Sequence, residues 1–317
     1  MHELIVFGPQ RLEPVLRPQL DRLGVGEPVA SITAGWQERE GEIEDMTDHL
    51  QRQVVDLELH RRTEVVWEED PDLFHAHRAR QDRLQALQRL YRLRLDYALE
   101  PARRLLRRED AFDPKMLEAT RESAIGAVRL LDDEHLQRVR AEHERFESQW
   151  HPTTRDAVAA QRDELTAILS RSDALAIAGG HVAVLLNRMR LFGFAELIAD
   201  FIAEKPVFAW AAGAMALSSR IVLFHDSPPQ GAGNPEVLDA GLGCYRGLVP
   251  LPAAGGRLRL DDTVRVSLFA RRFAPDVCLP LDAGMSARRV NGSWLSGERS
   301  TYLAEDGRVE DWKAMAA

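Results

Sequence analysis

The sequence predicts an α/β protein built on a mostly parallel sheet, and three observations carry that expectation. First, short apolar runs are each stopped by glycine: His2 to Phe7 before Gly8, Pro28 to Ala34 before Gly35, and Leu175-Ala-Ile-Ala178 before Gly179-Gly180. Continuous apolar runs of this length fit strands buried on both faces, which is where parallel strands lie. Second, the stretches that follow carry helical apolar spacing, as in Val182 to Ile202. Third, Val207-Phe-Ala-Trp210 leads into Ala211-Ala-Gly-Ala-Met215, a strand entering a helix through a turn of small residues that runs on to about Arg220.

Composition bounds the class before any motif does. With 317 residues and 45% hydrophobic content the chain can bury a sizeable core. A net charge of −9 argues against a nucleic-acid partner. No run approaches the roughly 18 apolar residues of a membrane helix, and the N-terminus lacks a basic-then-apolar signal pattern, so a soluble, cytoplasmic protein without a membrane partner is expected. Cys244 and Cys278 have no metal-ligand spacing, and neither a metal nor a cofactor is expected.

Taken in order, the strand ending at Gly8 and the strand ending at Gly35 each enter a βα loop. The second loop, Gly35-Trp-Gln-Glu-Arg-Glu40, places Trp36 and Arg39 where a ligand sits in such sheets. Acids in the first turn of a helix explain the carboxylates equally well, but not the aromatic or the guanidinium. Asp45 to His60 reads as a helix and Glu64 to Trp67 as a brief strand.

From Pro71 the character changes. Leu84, Leu87, Tyr91, Leu95, Ala98, Ala102 and Leu105 recur at helical spacing, giving one long helix or two joined near Pro101. Further helices are expected from Pro114 to Phe146 and from Thr154 to Ser170. Residues 71–170 thus form an all-helical insertion in an α/β domain made of 1–70 and 171–317. Its leucine face is expected to bury against the α/β body or against a second copy of the chain, through Leu84, Tyr91 and Leu95, so the insertion is either a lid or a homodimer interface. His75 and His77 lack a convergent third ligand for a metal. After the elbow come a strand from Arg220 to His225, a Pro- and Gly-rich loop from Ser227 to Pro235 that would line the pocket, and an alternating segment from Val264 to Phe273. Val277 to Leu281 then reads as a strand, and turn signals at Asn291-Gly292, Ser296-Gly297 and Asp306-Gly307 predict C-terminal β-hairpins.

Ala178-Gly-Gly-His181 together with Phe208-Ala-Trp-Ala-Ala-Gly-Ala-Met215 resembles the S51 serine peptidases, the cyanophycinase and aspartyl-dipeptidase group. That resemblance covers about residues 1–65 and 170–300 and implies a flavodoxin-like, class I glutamine amidotransferase-like fold. The family elbow reads Gly-x-Ser-Ala-Gly-Ala, so its nucleophilic serine falls on Ala211, and its oxyanion hole on Gly179, Gly180 and the Ala212 amide. The resemblance further implies an acid at Asp226, fifteen residues on, and a histidine at Ala253 or, one residue later, Ala254. His181 stands where the family more often has an amide side chain.

A serine hydrolase needs an attacking group, a base and donors aimed at the oxyanion. The chain keeps the donors and an acid, so a pseudoenzyme that binds a small peptide or acidic small molecule is expected, whether divergence or deliberate replacement set the two alanines. The alternative is an active peptide or amide hydrolase acting on acidic substrates, with His181 or His225 as substitute base.

Overall fold

The computed structural model describes residues 3–108, 112–226, 233–297 and 299–312. Its chain begins with β1 (Glu3–Phe7), α1 (Leu16–Leu23), β2 (Val29–Ile32), α2 (Glu44–Leu50), β3 (Val54–Asp56) and α3 (Leu59–Glu69). The helices α4 (Pro71–Leu106), α5 (Pro114–Trp150) and α6 (Asp156–Arg171) follow. The sheet resumes with β4 (Ala174–Ile177), α7 (Val182–Leu191), α8 (Phe194–Glu204), β5 (Val207–Trp210) and α9 (Ala212–Leu217). The remainder is β6 (Ile221–Leu223), β7 (Glu236–Asp239), β8 (Leu248–Pro252), α10 (Ala254–Arg257), α11 (Thr263–Phe273), β9 (Val277–Leu281), β10 (Ser286–Val290), β11 (Ser293–Ser296), β12 (Thr301–Leu303) and β13 (Val309–Asp311).

The central sheet has the order β11-β10-β1-β5-β4-β2-β3. Its five strands from β1 to β3 are parallel, with Leu4 opposite Val207 and Val29 opposite Ala174. The hairpin β10–β11 extends it antiparallel at the β1 edge, and β12–β13 makes the second of the C-terminal hairpins. β1, β2, β4 and β5 are buried at every position, as their unbroken apolar runs require. No helix among the described residues is long and apolar enough to cross a membrane.

Several local expectations are corrected. The third parallel strand is Val54–Asp56, not Glu64 to Trp67, which lies inside α3. Gln51 and Glu58, both at positive φ, cut the Asp45 to His60 stretch and leave Val54-Val55-Asp56 free to pair with β2. The helix read from Val182 to Ile202 is two, broken at Gly193, whose left-handed φ of 67° closes α7 and opens α8. The segment from Val264 to Phe273 is the helix α11. Of the two readings at Pro101, one long helix holds, since α4 runs on through it.

The long helices α4 and α5 lie antiparallel against each other and against α11, burying Tyr91, Leu95 and Leu99 with Ile125, Val128 and Leu136. Val237, Val249, Phe269 and Phe273 complete this second core, so the leucine face is covered by the chain's own C-terminal part. Tyr91 and Leu95 are 3% and 1% exposed, which removes them from any contact with a second copy.

Candidate functional site

The carboxyl ends of β1, β2, β4 and β5 meet at a cleft of about 850 Å³. Gly35 after β2 and Gly179-Gly180 after β4 form its floor. Side chains there would block it: a Cβ on Gly35 would lie 2.6 Å from the Gly179 carbonyl oxygen, and one on Gly180 would lie 2.4 Å from that of Gly35. The βα loop after β2 carries Trp36 and Arg39 into the lining, and α2 supplies Asp45, Met46, Asp48 and His49. Trp36, Trp210 and Met46 pack into one apolar wall. Among the described residues none of 71–170 lines the cleft.

Ala211 lines this cleft with φ 50° and ψ −118°, a backbone state costly for any residue with a Cβ. Its N–H donates to the Phe7 carbonyl at 3.1 Å, which ties the turn to the end of β1. A Cβ on Gly179 would come within 2.9 Å of the Ala211 Cβ, and one on Gly213 within 2.4 Å of the Ile177 carbonyl oxygen. Small residues are therefore required on both sides of the turn, which is the geometry of an elbow that thrusts one side chain upward. The thrust side chain is a methyl. Among the described residues no acceptor pairs with the amides of Gly180 and Ala212, and Ala212 opens α9. Two unpaired N–H groups beside the elbow suit an anionic or carbonyl oxygen.

Not every expected residue joins them. The Asp226 carboxylate is bound by the Arg265 guanidinium and accepts from the Arg259 N–H at 3.1 Å, away from the cleft lining. A carboxylate held bidentate by arginine is already paired and is poorly placed to orient an imidazole. His181 is outside the lining, and its Nδ1 accepts the Val184 N–H at 3.3 Å, capping α7. His225 is also outside the lining. Arg39 does line the cleft but donates to Glu42 at 2.6 and 2.8 Å. Of the loop from Ser227 to Pro235, residues 227–232 lie outside the described residues. Ser218 is fully buried and hydrogen-bonded to the backbone of α9, and burial pushes the Cys244 thiol up to about 12, so neither is a replacement nucleophile.

Ala253, likewise outside the cleft lining, follows β8 in the left-handed region at φ 55°, its N–H donating to the Leu281 carbonyl at 2.9 Å. The next residue of that neighbouring strand's exit is Asp282, whose carboxylate accepts the Gly255 N–H at 3.0 and 3.2 Å. A Cβ on Gly8 would lie 1.9 Å from the Asp282 carbonyl oxygen. Asp282 thus sits between Ala253 and the end of β1 that anchors Ala211. Nothing local in the sequence marks it: the link runs through the β8–β9 pairing, in which Pro252 stands opposite Leu281.

The loop bearing Trp36 is fastened from behind by Glu40, whose carboxylate accepts the His60 and Arg61 N–H groups of α3 at 3.0 and 2.8 Å. Burial raises the Glu40 carboxyl from 4.5 to about 7, against the pull of those two amides. The folded state therefore holds the proton that the unfolded chain releases above 4.5. The stability this contributes is full below that value and is lost as the pH rises to about 7. Thermal melts of the wild type between these limits are expected to decline by about 1 kcal/mol relative to Glu40→Gln, a magnitude discounted for the group's partial exposure. Parallel curves for the two proteins would contradict the assignment.

Other pairs of the cleft are open. Arg11, Asp45 and Asp48 all line the cleft and make no ion pair among the described residues. The His49 Nε2 is buried in the lining without a partner. The lining thus offers the cationic Arg11 and the anionic Asp45 and Asp48 together with Trp36 and Trp210.

No protein-family model and no curated protein matches the chain. Among solved structures, it is similar to a peptidase from an acI-B1 Actinobacterium, at 11% identity and a TM-score of 0.47, over 98% of this chain and 97% of that one.

Proposed function

We propose that this chain is a pseudoenzyme that binds a short peptide or acidic amide-bearing molecule on an S51-like, class I glutamine amidotransferase-like scaffold without hydrolysing it. The observation that carries the reading is Ala211: the strained elbow and the free Gly180 and Ala212 amides are retained around a side chain that can neither attack a carbonyl nor lose a proton. The strand order supports the scaffold. Counted from β2, the four strands β3-β2-β4-β5 run in the order 2-1-3-4, as in the flavodoxin-like order, and the N-terminal β1 stands beside β5 where that order has a fifth strand. The cleft then lies at the β2/β4 switch point, where Gly35 meets Gly180.

In this reading a ligand carboxylate or carbonyl sits on the two amides with Arg11 nearby, an ammonium faces Asp45 and Asp48, and the chain between them lies along Trp36 and Trp210. Titration of tryptophan fluorescence with Asp- and Glu-containing dipeptides should give a saturable change that Trp36→Phe largely removes. Arg11→Ala should weaken binding by about tenfold, the worth of one charge-assisted contact. Mass spectrometry of the same mixtures should recover the dipeptides intact. Product formation lost on changing His181 or His225 would instead establish a hydrolase with substitute groups, and absence of any saturable signal would remove the peptide reading.

A further inference from the structure

The solvent side of α4 carries a stripe that an ordinary amphipathic helix would not. Leu90, Leu93 and Tyr97 are 58%, 64% and 83% exposed, although Tyr91, Leu95 and Leu99 of the same helix are buried. Spacings of three and four residues stack the three exposed side chains on one face, opposite the buried one. The charges beside the stripe are arranged about its centre. Arg89 and Asp82 precede Leu93 and make no ion pair among the described residues, while Asp96 and Arg104 follow it. Asp96 accepts one bond, from the Asn234 amide at 2.6 Å, and Arg104 reaches Glu100 at 2.7 Å.

We infer that α4 is the interface of a homodimer, in which two copies of the helix pack antiparallel about a two-fold axis at Leu93. Such an axis brings together residues of the same flank that lie on opposite sides of Leu93 at distances along the helix equal to within about one residue. Leu93 then meets Leu93 of the second copy, Leu90 meets its Tyr97, and on the other flank Arg89 meets its Asp96. About two turns further out, near the midline of the face, Asp82 comes level with Arg104 of the second copy. The apolar pairs fall on one side of the axis and the opposite charges on the other, so the face is complementary to itself. A parallel pairing would set Arg89 on Arg89 and Asp96 on Asp96, which like-charge repulsion disfavours. The face differs from the one anticipated through Tyr91 and Leu95, and it leaves the cleft open.

Sedimentation velocity of the full chain over a wide concentration range tests this. The wild type should form a dimer. Leu93→Glu, which places two carboxylates on the axis at an exposed position, should yield a monomer with unchanged helical circular dichroism. Arg89→Asp alone and Asp96→Arg alone should each weaken association by more than about tenfold, since each sets like charges together. The double variant Arg89→Asp with Asp96→Arg should recover dimerisation, because the swap restores opposite charges in both symmetry-related pairs. A wild-type monomer at every concentration, a dimer indifferent to Leu93→Glu, or failure of the double swap to rescue would each overturn the inference.

Discussion

Ala211→Ser combined with Ala253→His is expected to give a protein that reacts with a fluorophosphonate probe, where the wild type and both single variants do not. A serine at 211 inherits the elbow and the Gly180 and Ala212 amides but has no base until an imidazole is supplied. Histidine is tolerated in the left-handed conformation that Ala253 already has at φ 55°. The orienting acid in that variant should be Asp282, which lies one residue beyond the Leu281 carbonyl that Ala253 contacts and whose carboxylate accepts the Gly255 N–H. In the double-variant background Asp282→Asn should lower labelling by roughly 10³–10⁴, the loss that follows when a triad imidazole is held in the wrong tautomer. Asparagine keeps an acceptor for the Gly255 N–H, so the turn itself survives. Asp226→Asn should leave labelling almost unchanged, because Arg265 occupies that carboxylate. Loss of labelling with Asp226→Asn but not Asp282→Asn would return the acid to Asp226, and a folded but inert double variant would remove the triad reading altogether.

The contrast between Asp226 and Asp282 shows what the sequence could and could not convey. The elbow was legible because its constraints are local: Gly213 has no room for a side chain against Ile177, nor Gly179 against Ala211, and both glycines are visible in the sequence. The buried strands β1 and β4 were legible for the same reason, each being a short apolar run with a glycine close after its end. Asp282 was not, since it reaches Ala253 only through a strand pair separated by more than twenty residues, and one carboxylate in a loop looks like another. The hidden strand at Val54–Asp56 failed differently. Its two valines are too few to show a period, and it exists because β2 offers an open edge and Ser31 and Thr33 donate to Asp56 at 2.8 and 2.7 Å. The helical pair was readable as amphipathic, but which of its faces would be covered depended on the C-terminal segment that packs there. Leu90, Leu93 and Tyr97 are as apolar as Tyr91, Leu95 and Leu99, and only the tertiary structure separates them.

That C-terminal docking rests on a buried ion pair, and its removal should be the most damaging single change in the molecule. Arg272 of α11 donates to the Asp132 carboxylate of α5 at 2.6 and 2.7 Å, to the Tyr91 hydroxyl of α4 at 2.9 Å and to the Pro235 carbonyl at 2.7 Å. Tyr91 donates in turn to Asp132 at 2.7 Å and accepts the Val237 N–H of β7 at 3.1 Å. Three helices and a strand thus share one network in which Arg272 and Asp132 are only 2% and 3% exposed. Arg272→Met leaves the Asp132 charge buried without its partner, which costs about 3–5 kcal/mol, and Asp132→Leu should cost as much from the other side. Removing both charges together leaves no orphan, so Asp132→Leu with Arg272→Met should lose far less than the sum of the single changes. Urea unfolding of the four proteins closes the cycle, with a coupling of several kcal/mol expected. Single variants that each cost under about 1 kcal/mol would mean that apolar packing of Leu95, Leu99 and Phe269 alone holds the helical pair to the body.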